Sequence, residues 1–159
     1  MTEDLRKWLN DILDGFVQES TENSLKMDPD ERAFDEILVG FSSGADPLYN
    51  DYKELIGLFH WTPLEILSLT FPELATKADQ LTVISWILPH REPTKADNRK
   101  ESFYPSRRWV HARFPGEEFN NLLRKHLVER LAEIGVQAVA PVLSPQWSME
   151  KSPKYGFAS

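Results

Sequence analysis

Leu81-Thr82-Val83-Ile84-Ser85-Trp86-Ile87-Leu88-Pro89 is the most strand-like run in the sequence. β-Branched and large apolar side chains favour a strand, and the proline ends it. Because nearly every position is apolar, we expect a strand that is covered on both faces, as in the middle of an α/β sheet. This strand is the element from which the rest of the fold is predicted.

A basic segment follows the strand and extends to Arg113. Residues 90–113 carry seven Lys or Arg side chains against three Asp or Glu, a net charge of +4. The whole chain of 159 residues has a formal charge of −7, and residues 1–30 have a net charge of −5. A cationic loop at the carboxyl end of a buried strand is the usual position of a ligand site in such a sheet.

The basic segment therefore supplies the candidate site residues. The predicted ligand is an anionic group, because arginine binds phosphates and carboxylates and histidine can carry charge near neutral pH. The candidate residues for binding this group are Arg99, Arg107, Arg108, Arg113, His90 and His111. Tyr104 and Trp109 are the candidates for stacking on a planar ligand. The alternative is a solvated surface whose arginines pack along neighbouring apolar side chains, and the sequence leaves both interpretations open.

The remaining patterns predict helices on either side of short strands. We expect an amphipathic helix over residues 3–18, a strand over 37–41, and helices that begin at Asp46-Pro47 and at the capping box Thr62-Pro63-Leu64-Glu65. A short helix over 106–114 is expected to be interrupted at Pro115-Gly116. A long and very regular helix then starts at Glu117 and stops at Gly135.

Residues 136–143 read as a second strand after the long helix. Strand, helix and strand over residues 81–143 form a βαβ unit, so the two strands should be parallel. The predicted fold class is α/β, with helices packed on a small mixed sheet, and α+β is the alternative. Residues 1–33 are expected to be an N-terminal helix and linker, and residues 34–159 an α/β domain that is incomplete at its C-terminus.

Several classes of function are opposed by composition. The sequence has no cysteine, so it has no disulfide, no thiolate nucleophile and no cysteine-bound cluster or zinc. The four histidines show no H-x-x-x-H spacing, so no metal site is predicted. The net negative charge opposes binding to nucleic acid. The acidic start is unlike a signal peptide, and no run of about 20 apolar residues could span a membrane. We therefore expect a cytoplasmic protein with no membrane partner.

Some motifs, taken in order, resemble the N-terminal region of iron–sulfur proteins related to epoxyqueuosine reductase. The similarity covers residues 37–159. Its motifs are Val39-Gly40-Phe41, Asp46-Pro47-Leu48, Tyr52-Lys53, Ile56-Gly57, His60, Thr62-Pro63-x-Glu65, Thr82-Val83-Ile84-Ser85-Trp86-x-Leu88-Pro89, Asn98-Arg99-Lys100-Glu101, Pro105-Ser106-Arg107-x-Trp109, Ala140-Pro141-x-Leu143-Ser144-Pro145 and Tyr155-Gly156-Phe157-Ala158-Ser159.

The resemblance implies a corrinoid-binding α/β domain that precedes a ferredoxin-like half with two 4Fe-4S clusters. It thus implies a cobalamin-dependent oxidoreductase for a full-length relative, while no cofactor is assigned to this chain itself. The sequence departs from the family pattern because it contains no cluster-ligating cysteine. Residues 137–143 also lack the acidic proton donor of epoxyqueuosine reductases, so the resemblance does not carry queuosine chemistry to these residues.

Two functions follow as hypotheses. The first is the cofactor- and substrate-cleft portion of a corrinoid and iron–sulfur reductase-like protein, whose partner is the missing ferredoxin-like half and whose ligand is an anionic small molecule. The second is a non-catalytic module that docks a partner protein through its acidic N-terminal helix and its aromatic tail, residues 144–159. Neither hypothesis gives this chain a complete active site.

Overall fold

The computed structural model describes residues 2–154 and 156–158. Five helices and two small antiparallel sheets make it a mixed α/β fold, which confirms the predicted class. The elements in chain order are α1 (Glu3–Glu19), β1 (Leu38–Ser43), α2 (Leu48–Leu55), α3 (Pro63–Thr70), β2 (Thr82–Ile87), α4 (Glu92–Lys100), α5 (Arg107–Glu133), β3 (Glu150–Ser152) and β4 (Gly156–Ala158), with short 3-10 helices at Ala78–Gln80 and Pro141–Leu143.

The chain divides into two compact units. Unit 1 contains the residues up to Val39 together with Trp86–Glu129, and unit 2 contains Gly40–Ser85 together with the residues from Arg130 onward. The whole basic segment, residues 90–113, therefore lies in unit 1.

The core of unit 1 is formed by α1 and α5. Leu9, Leu13 and Val17 of α1 are at most 1% exposed, and they repeat every four residues along one face, as the sequence periodicity predicts. Phe16 stacks on Phe119 of α5 with a distance of 5.8 Å between ring centroids. The acidic N-terminal helix is thus a packed element of unit 1.

Residues 20–34 have little regular secondary structure, yet they pack closely on this core. Asn23 is 2% exposed, and its side chain donates to the carbonyl oxygens of Val17 and Phe34 and accepts from the Phe34 N–H. Leu25, at 1% exposed, is also buried. The polar stretch that was predicted to be a linker is therefore held in place by the buried side-chain amide of Asn23.

Helix α5 corrects the prediction of two helices separated at Pro115-Gly116. It runs without interruption from Arg107 to Glu133, with Pro115 inside it. The buried positions Ala112, Phe119, Leu123 and Leu127 form one apolar stripe that extends across the proline, so burial of this stripe outweighs the lost backbone hydrogen bond. Gly116 allows Phe34 to pack closely on the helix, because a Cβ at this position would lie 2.6 Å from the Phe34 ring.

Strand β2 is formed where the sequence predicts it, but its surroundings differ. It pairs with β1 in a two-stranded antiparallel sheet, and the Gly44 N–H donates to the Leu81 carbonyl at 2.9 Å beside it. Every residue of β2 is half-buried or exposed, and Ile87 is 63% exposed. The expectation of a strand covered on both faces is therefore wrong, because an apolar run does not determine how many neighbours a strand has.

The prediction of a second strand, over residues 136–143 of the βαβ unit, is also wrong. Residues 136–140 lack regular secondary structure, and Pro141–Leu143 form a 3-10 helix. Pro141 has no N–H to donate to a sheet, and the Leu143 N–H bonds locally to the Ala140 carbonyl at 3.0 Å. The helix before it does stop as predicted, at Gly135, which has a φ of +76°.

In unit 2, the best-predicted element is α3. Thr62 accepts from the Glu65 N–H, and the Glu65 carboxylate accepts from the Thr62 N–H at 2.7 Å, which is the predicted capping box. Ile66 and Leu67 of this helix are buried. The strands β3 and β4 pair antiparallel, with Lys151 opposite Phe157.

Candidate functional site

Arg108 is the most constrained of the predicted anion-binding residues. Its two terminal nitrogens bind the two carboxylate oxygens of Glu31 at 2.5 and 2.7 Å, and its Nε lies 2.8 Å from Asp97. The hydrogen bond with Glu31 raises the pKa of Arg108 and lowers the pKa of Glu31. The pKa of Asp97 is lowered, first by its hydrogen bond with Lys100 and then by Arg108. The N–H donors of the Arg108 guanidinium are therefore occupied by carboxylates of the protein itself. Through them Arg108, at the start of α5, is linked to Glu31 in the segment before β1 and to Asp97 in α4.

The other three arginines are more open. Arg99 pairs with Glu92 at 2.7 Å, and its side chain is 66% exposed. Arg113 lies 3.8 Å from Glu117 and is 57% exposed. Arg107 begins α5 at the surface and makes no ion pair with any residue in the described part of the chain. Among the residues predicted to bind an anion, Arg107 and Arg113 are thus the two whose charge is least compensated within the protein.

The two candidate histidines have different environments. His111 Nδ1 lies 2.8 Å from the Leu25 carbonyl oxygen, so this nitrogen carries the proton, because a carbonyl only accepts. His90 stacks on Phe34 at 5.4 Å, and within residues 2–154 and 156–158 its buried Nδ1 has no hydrogen-bond partner. Burial, and then the charge of Lys95, lower the pKa of His90. Both rings are tied to unit 1 by packing or hydrogen bonding.

Tyr104 and Trp109 do not form a common stacking surface. Tyr104 is 73% exposed and makes an edge contact with Phe103, itself 84% exposed, at 4.6 Å. Both lie in the loop of residues 101–106, which Asn98 closes by accepting from the N–H groups of Glu101 and Ser106. Trp109 is half-buried in the first turn of α5. Tyr104 alone of the two is therefore open for stacking.

A small cleft in unit 1 was not predicted. It has a volume of about 390 Å³ and is lined by Gln18, Arg32, Asp35, Glu36 and Arg91. Two of its lining residues, Asp35 and Arg91, directly follow the bridged residues Phe34 and His90 along the chain, and the Asp35 N–H donates to the Pro89 carbonyl at 2.9 Å. The sequence signal that could have indicated it is the position of Arg91 at the end of the β2 region. Its partners come from the end of the predicted N-terminal helix, the predicted linker and the first residues after it, so the cleft could not be assembled from sequence.

The residues present do not fit the cofactors that the resemblance implies. An iron–sulfur cluster needs thiolate ligands, and the sequence has no cysteine. In the described residues there is also no group of three or more His, Asp or Glu side chains that could hold a metal ion. The charged cleft of about 390 Å³ is near the lower end of the range of about 300–1,000 Å³ for small-ligand pockets, so it is too small for a corrinoid.

Comparisons of the chain with protein-family models, with curated proteins and with solved structures find no match. The helices of residues 2–154 and 156–158 include none that is long and apolar enough to cross a membrane.

Proposed function

We propose that this chain is the N-terminal, cleft-forming part of a corrinoid- and iron–sulfur-dependent reductase-like protein. The observation that carries the proposal is the order of the motifs, from Val39 to Phe157, by which the sequence resembles relatives of epoxyqueuosine reductase. In this proposal the chain supplies one wall of a cytoplasmic enzyme's cleft. The clusters belong to a ferredoxin-like half that this chain does not contain, and the corrinoid site of the α/β domain is completed only when that half closes the cleft.

The local structure of the motif residues supports the proposal. Thr62 and Glu65 cap α3, Asp46 accepts from the Leu48 N–H at 3.0 Å at the start of α2, and Asn98 closes the loop before α5. Residues with such roles determine the backbone path. A resemblance in the order of such residues is therefore what a shared fold would produce.

The surface of unit 2 also supports a covering polypeptide. Buried apolar residues of the described chain are concentrated in unit 1, whereas unit 2 leaves many large apolar side chains exposed. The most exposed are Leu58 at 83%, Phe157 at 74% and Met149 at 59%. Covering such side chains is favourable because apolar area is removed from water.

The basic segment would provide the anion-binding side of the cleft. Arg107 and Arg113 would meet a phosphate or carboxylate group directly, because their charges are the least compensated. Arg108 would hold the segment in position, since Glu31 and Asp97 already occupy its donors. His90, His111, Arg99 and Tyr104 remain proposed contacts of the same ligand.

The reading frame of the gene beyond codon 159 tests the proposal. We expect it to continue into a region with two cysteine clusters of the spacing that binds 4Fe-4S clusters. The full-length product should then change the absorbance of added cobalamin, and the 159-residue chain should leave it unchanged. A stop codon directly after Ser159, or a continuation without cysteines, would contradict the proposal.

A protein-docking module is the second candidate. Its supporting observation is the exposure of aromatic and apolar side chains in the tail, including Trp147 at 40% and Phe157 at 74%. Docking through α1 would be confined to its polar face, because its apolar face is buried. Light scattering and limited proteolysis in cell extract separate the two candidates. A chain that is monomeric by light scattering and gains no protection from proteolysis in the extract would exclude docking.

A further inference from the structure

The cleft lined by Gln18, Arg32, Asp35, Glu36 and Arg91 combines two guanidinium groups with two carboxylates. Its formal charge is therefore zero, although each of its walls is charged. This composition is independent of the reductase-like relationship, since none of these five residues belongs to the shared motifs. It differs from a surface ion-pair cluster because the charges border an open cleft and are only partly paired with one another.

Arg32 is held in a fixed orientation without being neutralised. Its guanidinium donates to the Val17 carbonyl at 2.9 Å and to the Gln18 side-chain oxygen at 3.0 Å, and both acceptors are uncharged. The Val17 carbonyl belongs to the last turn of α1, where the helix dipole favours a positive charge. Arg32 makes no ion pair with any residue that the structure describes, so its charge remains available to a ligand.

Arg91 is only partly satisfied. Its Nε contacts Asp35 at 3.3 Å, and within the described ranges its two terminal nitrogens make no hydrogen bond. Two parallel N–H groups of this kind match the two oxygens of a carboxylate. The backbone pairing of the Asp35 N–H with the Pro89 carbonyl keeps Arg91 and Asp35 close to each other.

Glu36 supplies the opposite charge. Among the described residues its carboxylate has no hydrogen-bond or ion-pair partner, and Asp35 is compensated only by the long contact with Arg91. A simple anion in the cleft would gain from the arginines and be repelled by these carboxylates. A simple cation would meet the reverse balance, so a ligand that carries both charges fits best.

We propose that this cleft binds a small zwitterion, namely a free α-amino acid. The carboxylate of the ligand binds Arg91 and Arg32, and its ammonium group binds Glu36 and Asp35. The volume of about 390 Å³ is large enough to admit such a molecule. Because the cleft is open and its side chains are partly solvated, binding is expected in the millimolar range, which corresponds to about 4 kcal/mol.

Nuclear magnetic resonance titration of the whole chain tests the proposal, with L-alanine, sodium acetate and methylammonium chloride as probes at constant ionic strength. We expect L-alanine to give saturable shifts in the amides of residues 32–36 and 91. Acetate and methylammonium should each bind at least about tenfold more weakly, since each lacks one charge-assisted contact. Equal binding of acetate and L-alanine, or the absence of saturable shifts, would overturn the proposal.

Variants of the two charges give a reciprocal control. Glu36→Gln should weaken L-alanine binding and strengthen acetate binding, because the cleft then carries a net positive charge. Arg91→Gln should weaken L-alanine and favour methylammonium. Arg130→Gln, which removes an arginine paired with Glu133 outside both the cleft and the basic segment, should leave all three affinities unchanged. If Glu36→Gln binds L-alanine as the unchanged chain does, the zwitterion proposal is wrong.

Discussion

Asn23 shows how one buried side chain can organise a segment without regular secondary structure. Its amide makes three hydrogen bonds with the backbone of Val17 and Phe34, at 2.9–3.2 Å. In the sequence it is one polar residue among many between Glu19 and Ala33. Burial of a particular asparagine depends on tertiary packing, so this role could not be predicted from local pattern.

Replacement of Asn23 by alanine is expected to destabilise the chain by about 2–4 kcal/mol, because the Phe34 N–H and two carbonyl groups lose buried partners. Urea unfolding measures this change. Asn10→Ala is the matched control, since Asn10 is an exposed residue of α1, and it should change stability by less than about 0.5 kcal/mol. Equal effects of the two substitutions would show that the Asn23 hydrogen bonds contribute little.

His90 is expected to make stability depend on pH. Burial lowers its pKa in the folded chain below the ordinary value of 6.5, so the unfolded chain takes up a proton more readily. Stability should therefore be undiminished above pH 6.5 and should decrease as the pH falls below that value. The titration of the His90 ring, followed by nuclear magnetic resonance, should have a midpoint below 6.5.

His90→Phe keeps an aromatic ring against Phe34 and removes the titrating group. We expect the variant to lose part of the decrease in unfolding free energy between neutral and mildly acidic pH. If the variant and the unchanged chain show the same decrease, another group is responsible for it.

At the scale of elements, the sequence predicted where helices begin and end better than it predicted which segments pack or pair with each other. The capping box at Thr62 and the stop at Gly135 depend on residues a few positions apart, and both are confirmed. The burial of β2 and the strand at 136–143 depend on which segments lie alongside, and both predictions were wrong. The prediction of a break at Pro115 was wrong because the free-energy cost of a proline in a helix is small compared with the gain from burying the apolar stripe that continues through it.

The same contrast applies to the candidate site. Composition located the basic segment, but it did not reveal that Glu31 and Asp97 occupy Arg108. Nor could it place Arg32, Glu36 and Arg91 around one cleft, because tertiary contacts of residues 34–35 with residues 89–91 bring these distant parts of the sequence together. The position of the charged residues along the chain was accessible from sequence, whereas the pairing of individual charges was not.

Two glycines in helices give a test at this scale. Gly116→Ala should destabilise the chain by about 1–3 kcal/mol through overpacking, since the new Cβ would lie 2.6 Å from the Phe34 ring. Gly15→Ala in α1 should stabilise it by about 0.5–1 kcal/mol, because no atom lies within 4 Å and alanine favours a helix. Helix propensity alone predicts stabilisation at both positions, so thermal unfolding of the two variants distinguishes packing from propensity. Stabilisation by Gly116→Ala would contradict the close contact with Phe34.

Over the whole molecule, opposite charges are segregated along the sequence and partly recombined in the fold. The acidic residues that follow the N-terminal region, Glu31 and Asp35, pair with Arg108 and Arg91 of the basic segment. Part of the positive charge that suggests an external anion therefore serves to attach the segment before β1 to α4 and α5. The charges that remain for ligands are those of Arg107 and Arg32, together with those of Arg113 and Arg91, whose single contacts with carboxylates are 3.8 and 3.3 Å long.

Arg108→Gln tests this internal use of charge. It should lower stability at neutral pH more than Arg99→Gln does, because Arg108 is half-buried between two carboxylates whereas Arg99 makes one exposed pair. The pKa values of Glu31 and Asp97 are lowered in the folded chain from ordinary values of 4.5 and 3.8. Their contribution to stability is therefore present above those values and is lost as the pH falls through the folded-state pKa values. Urea unfolding from neutral to acidic pH should accordingly show a shallower loss of stability for Arg108→Gln than for the unchanged chain. Parallel pH profiles for Arg108→Gln and the unchanged chain would mean that the pairing of Arg108 with Glu31 and Asp97 contributes little to stability.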